Sequence, residues 1–136
     1  MFICITLFFL INCGTAKKEQ TNMYYDKNKL IQLSPLTQKF LEEFDKEISK
    51  FNKTDNFIPS ENMLKNYPVF EKDGQFYISG LIKIEDFSGD VDLPNVIINT
   101  KAGNILTVII PLNQFHNIIV NKNIKYLQID EKLNRK

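Results

Sequence analysis

One alternating stretch, "FYISGLIKI", limits most strongly the folds that this sequence can adopt. Every second residue is apolar or glycine, which is the pattern of a β-strand with one buried face. The residues of that face are Phe76, Ile78, Gly80, Ile82 and Ile84. A strand of this kind needs a second layer of structure to cover its apolar side. The Asp73-Gly74 pair just before it favours a turn.

Two further β-branched runs, "NVIINT" and "NILTVIIP", flank the short connection "KAGN". This arrangement predicts a hairpin in which Gly103 supplies the positive φ angle that the turn needs. Pro111 closes the second strand and can open a short helix that ends at 121–123. The apolar stripe of that helix is Leu112, Phe115, Ile118 and Ile119. The run "IKYLQI" then predicts a last strand.

The segment "LSPLTQKFLEEFDKEISKF" predicts an amphipathic helix over 35–52. Ser34 is a candidate N-cap and Pro35 suits the first helical position. Apolar residues follow at spacings of three and four, and we expect this face to cover the sheet. They are Leu36, Phe40, Phe44, Ile48 and Phe51. Residues 52–68, interrupted by Pro59 and Pro68, predict a connection with a single helical turn at 60–66.

The order of elements after the first helix is strand, acidic segment, strand, strand, helix and strand. This is the βαββαβ series of a ferredoxin-like fold in which the first crossover is reduced to "EDFSGDVDLP". We therefore expect an α+β two-layer sandwich with an antiparallel sheet, preceded by the amphipathic helix. A chain of 136 residues has room for one such domain, which we place at 34–136 with its sheet at 75–130.

The N-terminus begins with an apolar run, Phe2 to Ile11, of about half the length that crosses a bilayer. Its length suits the apolar region of a signal peptide, here 1–12. The following "LINCG" resembles the lipobox of bacterial lipoproteins, although Asn12 and the lack of Lys or Arg before Cys13 depart from that pattern. The resemblance implies lipidation of Cys13, a polar tether over 13–33, and anchoring in the bacterial cell envelope, at the outer membrane or cell surface. The alternative is a buried N-terminal strand of the domain.

Charge and cysteine content argue against several kinds of chemistry. The formal net charge is +1, which is too small a field to favour nucleic acid as a partner. Both cysteines, Cys4 and Cys13, lie in the opening stretch, so the domain has no thiolate nucleophile or ligand. There is no Gly-rich phosphate loop and no G-x-S-x-G motif. We therefore expect no enzymatic activity and no cofactor.

A few polar and aromatic residues are candidates for metal, catalytic or stacking sites. A lone His116 makes neither a metal site nor a catalytic triad, so a packing or surface role is expected. The acids of the "EDFSGDVD" loop do not have EF-hand spacing, so no metal site is predicted. These acids are Asp86, Asp90 and Asp92. Four tyrosines could stack on sugars or bases, but a domain of this size needs its aromatic residues in the core. They are Tyr24, Tyr25, Tyr67 and Tyr77.

The hairpin and the elements after it resemble a known family. The stretch "VIINTKAGNILTVIIPLNQFHNIIVNKNIKYLQID" carries in register Thr100, Gly103, Ile105, Thr107, Val108 and Pro111. It resembles the N-terminal prodomain of fervidolysin-like and related Bacteroidetes subtilisin-family (S8) peptidases, and "LSPLTQKFL" is similar to the segment that opens such prodomains. The likeness runs over about half of the chain. Two departures are the shortened crossover and the end of the sequence at Lys136, where those enzymes continue into a catalytic domain.

What the resemblance implies is a function by contact with a protein. Prodomains of this class pack a sheet against their protease and lay the residues after the last strand along its cleft. The partner-binding residues would then be Asp130, Glu131, Lys132, Leu133 and Asn134. The leading hypothesis is a non-catalytic envelope lipoprotein that inhibits or chaperones a subtilisin-type serine protease. The alternatives are a structural or accessory envelope lipoprotein, and a protease prodomain separated from its enzyme by gene truncation.

Overall fold

A computed structural model describes residues 31–51, 57–85 and 91–133 of the chain. Several predictions concern residues outside these ranges. They are the signal peptide at 1–12, Cys13, the tether up to residue 30, Tyr24, Tyr25, Asp86, Asp90 and Asn134.

The described residues form a mixed structure of the α+β class, in which a six-stranded sheet carries a few short helices. The strands are β1 (Gln32–Leu33), β2 (Val69–Lys72), β3 (Gln75–Ile84), β4 (Ile97–Ala102), β5 (Ile105–Pro111) and β6 (Ile124–Ile129). The helices are α1 (Pro35–Ile48), α2 (Glu61–Asn66) and α3 (Phe115–Ile119), the last preceded by a 3₁₀ turn at Leu112–Gln114. The predicted first helix, helical turn, long strand, hairpin and last strand are thus all present.

The long strand β3 lies at the centre of the sheet. The strand order is β1-β6-β3-β5-β4, and β2 pairs with the N-terminal part of β3. All neighbours are antiparallel except β1 and β6, which run parallel. Gly80 is paired with Val108 of β5 and with Ile129 of β6, and an ideal Cβ on this glycine would lie 2.4 Å from the carbonyl oxygen of Gln128. A close approach of β6 therefore requires glycine at position 80.

Helix α1 packs on the apolar face of the sheet that the alternation of β3 predicted. Its N-terminus is capped by Ser34, whose Oγ accepts the backbone N–H of Thr37. Thr37 Oγ1 in turn accepts the N–H of Ile129 at 2.9 Å, so the first turn of the helix is bonded to β6. The largest fully buried side chains between helices and sheet include Phe40, Phe44, Met63, Tyr67, Ile78, Ile82, Ile110, Phe115 and Leu127.

The predicted helix at 35–52 is too long, because α1 ends at Ile48. Ser49 Oγ donates to the carbonyl oxygen of Lys46, and the following N–H groups bond three residues back, which tightens the chain out of the α-helix. Phe51 consequently leaves the apolar stripe and is 39% exposed. It packs edge-on against Phe57, with ring centroids 5.4 Å apart.

The sheet begins earlier than the predicted 75–130. The Asp73-Gly74 turn has positive φ at both residues, as a type I′ hairpin requires, and it joins β2 to β3. The domain also begins before residue 34, since Gln32 and Leu33, predicted as tether, pair with Tyr126 and Leu127. Pairing with the outer edge of β6 supplies the backbone partners that make these residues part of the sheet.

Candidate functional site

The sheet has a second face, directed away from the helices, that we call the open face. Its side chains follow from the register, because paired residues of antiparallel strands share a face. They include Phe70, Tyr77, Ser79, Leu81, Ile97, Thr100, Ile105, Thr107, Ile109, Tyr126 and Gln128. Each of them is partly or fully exposed, whereas Ile78, Gly80 and Ile82 on the other face are buried. The described elements therefore leave this face uncovered.

The open face exposes several large apolar side chains. Phe70 is 37% exposed, Ile97 is 42% exposed and Ile105 is 39% exposed. The ring of Phe70 stacks on that of Tyr77 at a centroid distance of 5.8 Å. Large apolar side chains that are exposed on one sheet face mark a candidate interaction surface.

Six polar side chains of the open face are hydrogen-bonded in pairs. Three side-chain pairs satisfy them, namely Thr100 with Thr107 at 2.6 Å, Tyr77 with Gln75 at 3.0 Å, and Tyr126 with Gln128 at 2.9 Å. A buried polar group costs free energy chiefly when it loses its hydrogen-bond partner. Because these side chains bring their partners with them, an apolar surface that covers the three pairs leaves their hydroxyl groups satisfied.

The dimensions of the open face suit a protein partner. Lys72 and Lys83 lie near its two ends, and the strand between Gln75 and Lys83 extends for about 27 Å. Four strands across give a width of about 20 Å and a flat area on the order of 500 Å². A standard interface buries about 800 Å² of accessible surface on each partner, and accessible surface is larger than the flat area that it covers. The face is therefore large enough to form most of one side of a specific interface.

The C-terminal residues predicted to bind a partner lie elsewhere. The N–H of Asp130 donates to the carbonyl oxygen of Ser79, and Lys132 Nζ donates to the carbonyl oxygen of Leu64 in α2. Leu133 is 86% exposed. Glu131 and Lys132 line a cavity of about 290 Å³ together with Leu36, Lys65 and Asn66. The segment therefore bends towards the helices, and the structure does not bring it together with the open face.

His116 has the packing role that the sequence suggested. Its ring stacks on Phe44 with centroids 5.3 Å apart, and its Nε2 lies 2.6 Å from Asp45 Oδ1. The contact joins α3 to α1. Asp45 is 71 positions away along the chain, so no local pattern in the sequence indicates this pairing.

The described ranges contain neither a candidate metal site nor a candidate membrane-spanning helix. Within 31–51, 57–85 and 91–133, no group of three His, Cys, Asp or Glu residues is placed to hold a metal ion. Asp92 of the acidic loop is exposed. None of the helices in the described part is both long and apolar enough to cross a membrane.

Tyr67 is the buried ionisable residue of the core. Its hydroxyl is buried without a hydrogen bond of good geometry to a described residue, and the Glu43 carboxylate is close enough to act on it. Burial raises the pKa of Tyr67 well above its usual value, and the nearby Glu43 and Glu42 raise it further. The folded protein therefore holds this phenol in its neutral form.

We expect Tyr67→Phe to change the alkaline stability of the protein. In the unfolded chain the phenol ionises near its ordinary pKa of 10.0, whereas in the folded chain it ionises only at higher pH. Stability is therefore retained below about pH 10 and falls as the pH rises above it, because only the unfolded state releases the proton. Urea unfolding at about pH 8 and about pH 11 should show a smaller loss for Tyr67→Phe than for wild type. Tyr77→Phe is the control, and equal losses in all three proteins would contradict the expectation.

Sequence reasoning did not identify the open face as a site. One signal was present in the sequence. Leu81 and Ile109 are apolar, although each lies on the strand face that is ordinarily polar when only the opposite face is buried. The predicted partner-binding segment, by contrast, came from a family resemblance. No protein-family model, curated protein or solved structure matches the chain.

Proposed function

We propose that the chain is a non-catalytic lipoprotein of the bacterial cell envelope whose α+β domain acts by binding another protein. The observation that carries the binding function is the open face, which exposes Phe70, Ile97 and Ile105, is wide enough for an interface and has three hydrogen-bonded side-chain pairs. Covering such a face gains hydrophobic free energy at little polar cost.

The partner class that we favour is a subtilisin-type serine protease, with the domain acting as an inhibitor or chaperone. The ferredoxin-like, prodomain-like fold on which this rests is supported by the strand order β6-β3-β5-β4, in which all neighbours are antiparallel. In this proposal the open face packs on the protease, and the segment from Asp130 onwards enters its cleft as an added strand.

Inhibition of subtilisin by the full chain tests this proposal. Hydrolysis of a chromogenic peptide should slow as the chain is added at increasing concentration. The double variant Ile97→Glu/Ile105→Glu should weaken inhibition at least about tenfold, because two charges would enter an apolar contact. Ile58→Glu is the matched control, since Ile58 is 66% exposed and lies outside the open face.

The outcomes separate the alternatives. Inhibition that is lost in the double variant and kept in Ile58→Glu would support the inhibitor function. If the folded chain does not slow hydrolysis, the protease proposal is wrong. Binding to another envelope protein through the same two isoleucines would then favour an accessory lipoprotein.

Membrane attachment through Cys13 is the second part of the proposal, and it rests on the lipobox-like "LINCG". Cells that express the chain and are fed an alkyne fatty acid should label it, and Cys13→Ser should abolish the label. Cys4→Ser is the control, because Cys4 lies within the predicted signal peptide. Persistent labelling of Cys13→Ser would contradict lipidation at this residue.

A further inference from the structure

We propose that Lys132 is a latch that holds the C-terminal segment, residues 130–133, against the helical layer and away from the open face. A consequence follows that rests on the proposed function. The latch keeps the segment from entering the protease cleft until a partner displaces it, so the contact is autoinhibitory. The contact that makes the latch is the hydrogen bond from Lys132 Nζ to the carbonyl oxygen of Leu64.

The local sequence of α2 explains why this carbonyl is available. In a longer helix the carbonyl of Leu64 would accept the N–H four residues later, at position 68. Position 68 is proline, which has no N–H to donate. The N–H of Tyr67 instead bonds to Met63. Pro68 therefore leaves a helix C-terminal carbonyl without its ordinary donor, and this is a place where an ammonium group binds favourably.

The path of the chain after β6 places the ammonium group there. The N–H of Asp130 extends the pairing with β3 by one bond to Ser79, and this fixes where the segment leaves the sheet. Among the described residues, Lys132 makes the one hydrogen bond that ties residues 131–133 to the rest of the domain. Leu133 stays exposed beyond it.

The latch is weak enough to open. A cavity of about 290 Å³ lies where Glu131 and Lys132 approach α1 and α2, so the segment bridges the helices without packing tightly on them. An exposed charge-assisted contact of this kind shifts an equilibrium by no more than about fivefold. A partner that gains main-chain hydrogen bonds from the same residues can therefore displace it.

Cleavage by endoproteinase Glu-C after Glu131 tests the latch in the full chain. We expect Lys132→Met to be cut there about two- to fivefold faster than wild type, because the segment spends more time detached. Lys65→Met is the matched control, since Lys65 lines the same cavity and its Nζ makes no hydrogen bond to a described residue. Cleavage rates of synthetic peptides covering 127–136, with Lys or Met at position 132, correct for any change in the intrinsic cleavage rate after Glu131. Equal corrected rates in wild type and Lys132→Met would overturn the proposal.

A second readout reports the bond itself. The ¹³C′ chemical shift of Leu64 should move in Lys132→Met and stay in place in Lys65→Met; an unchanged shift in Lys132→Met would also overturn the latch. Neither readout involves a partner, so a failed latch is distinguishable from a failure of the proposed function.

In the subtilisin assay Lys132→Met should inhibit about two- to fivefold more strongly than wild type, and unchanged inhibition would overturn the autoinhibitory role.

Discussion

Replacing Phe40 with alanine should lower the free energy of unfolding by about 4 kcal/mol. Phe40 has no solvent exposure, and its ring contacts three others in the core. The centroid distances are 5.5 Å to Phe44, 5.1 Å to Tyr67 and 5.0 Å to Phe115. The variant loses the transfer free energy of the ring and leaves a cavity that the surrounding elements cannot fill. Domains of this size are stable by about 5 to 15 kcal/mol, so the loss is a large share of the total.

Phe51→Ala is the control for this prediction. The sequence placed both phenylalanines on one helix face, but Phe51 is 39% exposed and contacts Phe57 alone among the described rings. Its replacement should cost about 1 kcal/mol or less. Urea denaturation at constant pH measures both values. Similar losses for the two variants would mean that Phe40 is not the central residue of the core.

The substitution Gly80→Ala should destabilise the protein by about 3 kcal/mol. The added Cβ would lie 2.4 Å from the carbonyl oxygen of Gln128 and 3.1 Å from the Cα of Ile129. Both are backbone atoms of β6, so the clash cannot be relieved by rotating a side chain. The strand must instead move away from β3, which weakens the ladder between them and the packing of Leu127 and Ile129 in the core.

Ser79→Ala is the matched control, because Ser79 precedes Gly80 on the same strand and faces the open side of the sheet. We expect it to change stability by less than about 0.5 kcal/mol. Chemical denaturation of both variants, with hydrogen exchange at the β3–β6 pairs, measures the difference. A loss below about 1 kcal/mol for Gly80→Ala would show that β6 can shift without breaking its pairing.

Elements marked by signals between neighbouring residues could be predicted. Ser34 and Pro35 indicate where α1 begins, because a cap and a first-turn proline act within one turn. Gly103 adopts a positive φ of 61° between β4 and β5, as its place between two β-branched runs indicates. The alternation in β3 correctly separated its buried face from its exposed one.

Features that depend on distant residues could not be predicted. Strand β1 has only two residues and exists because β6 pairs with it. The end of α1 at Ile48 is the local exception, because a tight turn after it overrides an apolar spacing that continues to Phe51. The contact between Lys132 and Leu64 joins residues 68 positions apart, and no local pattern marks such a pair.

The sequence by itself determined the periodic elements of this protein, its buried strand face, and the lack of cysteine chemistry in its domain. Those features depend on residue types and on spacings within a few positions. Only the tertiary structure decided how strands distant in the sequence are ordered in the sheet, that one sheet face stays open, and that residues 130–133 bend towards α2. These outcomes depend on backbone groups and apolar surfaces that meet across many positions, such as Gly80 against Gln128. These contacts form, and contribute to stability, only when the chain is folded.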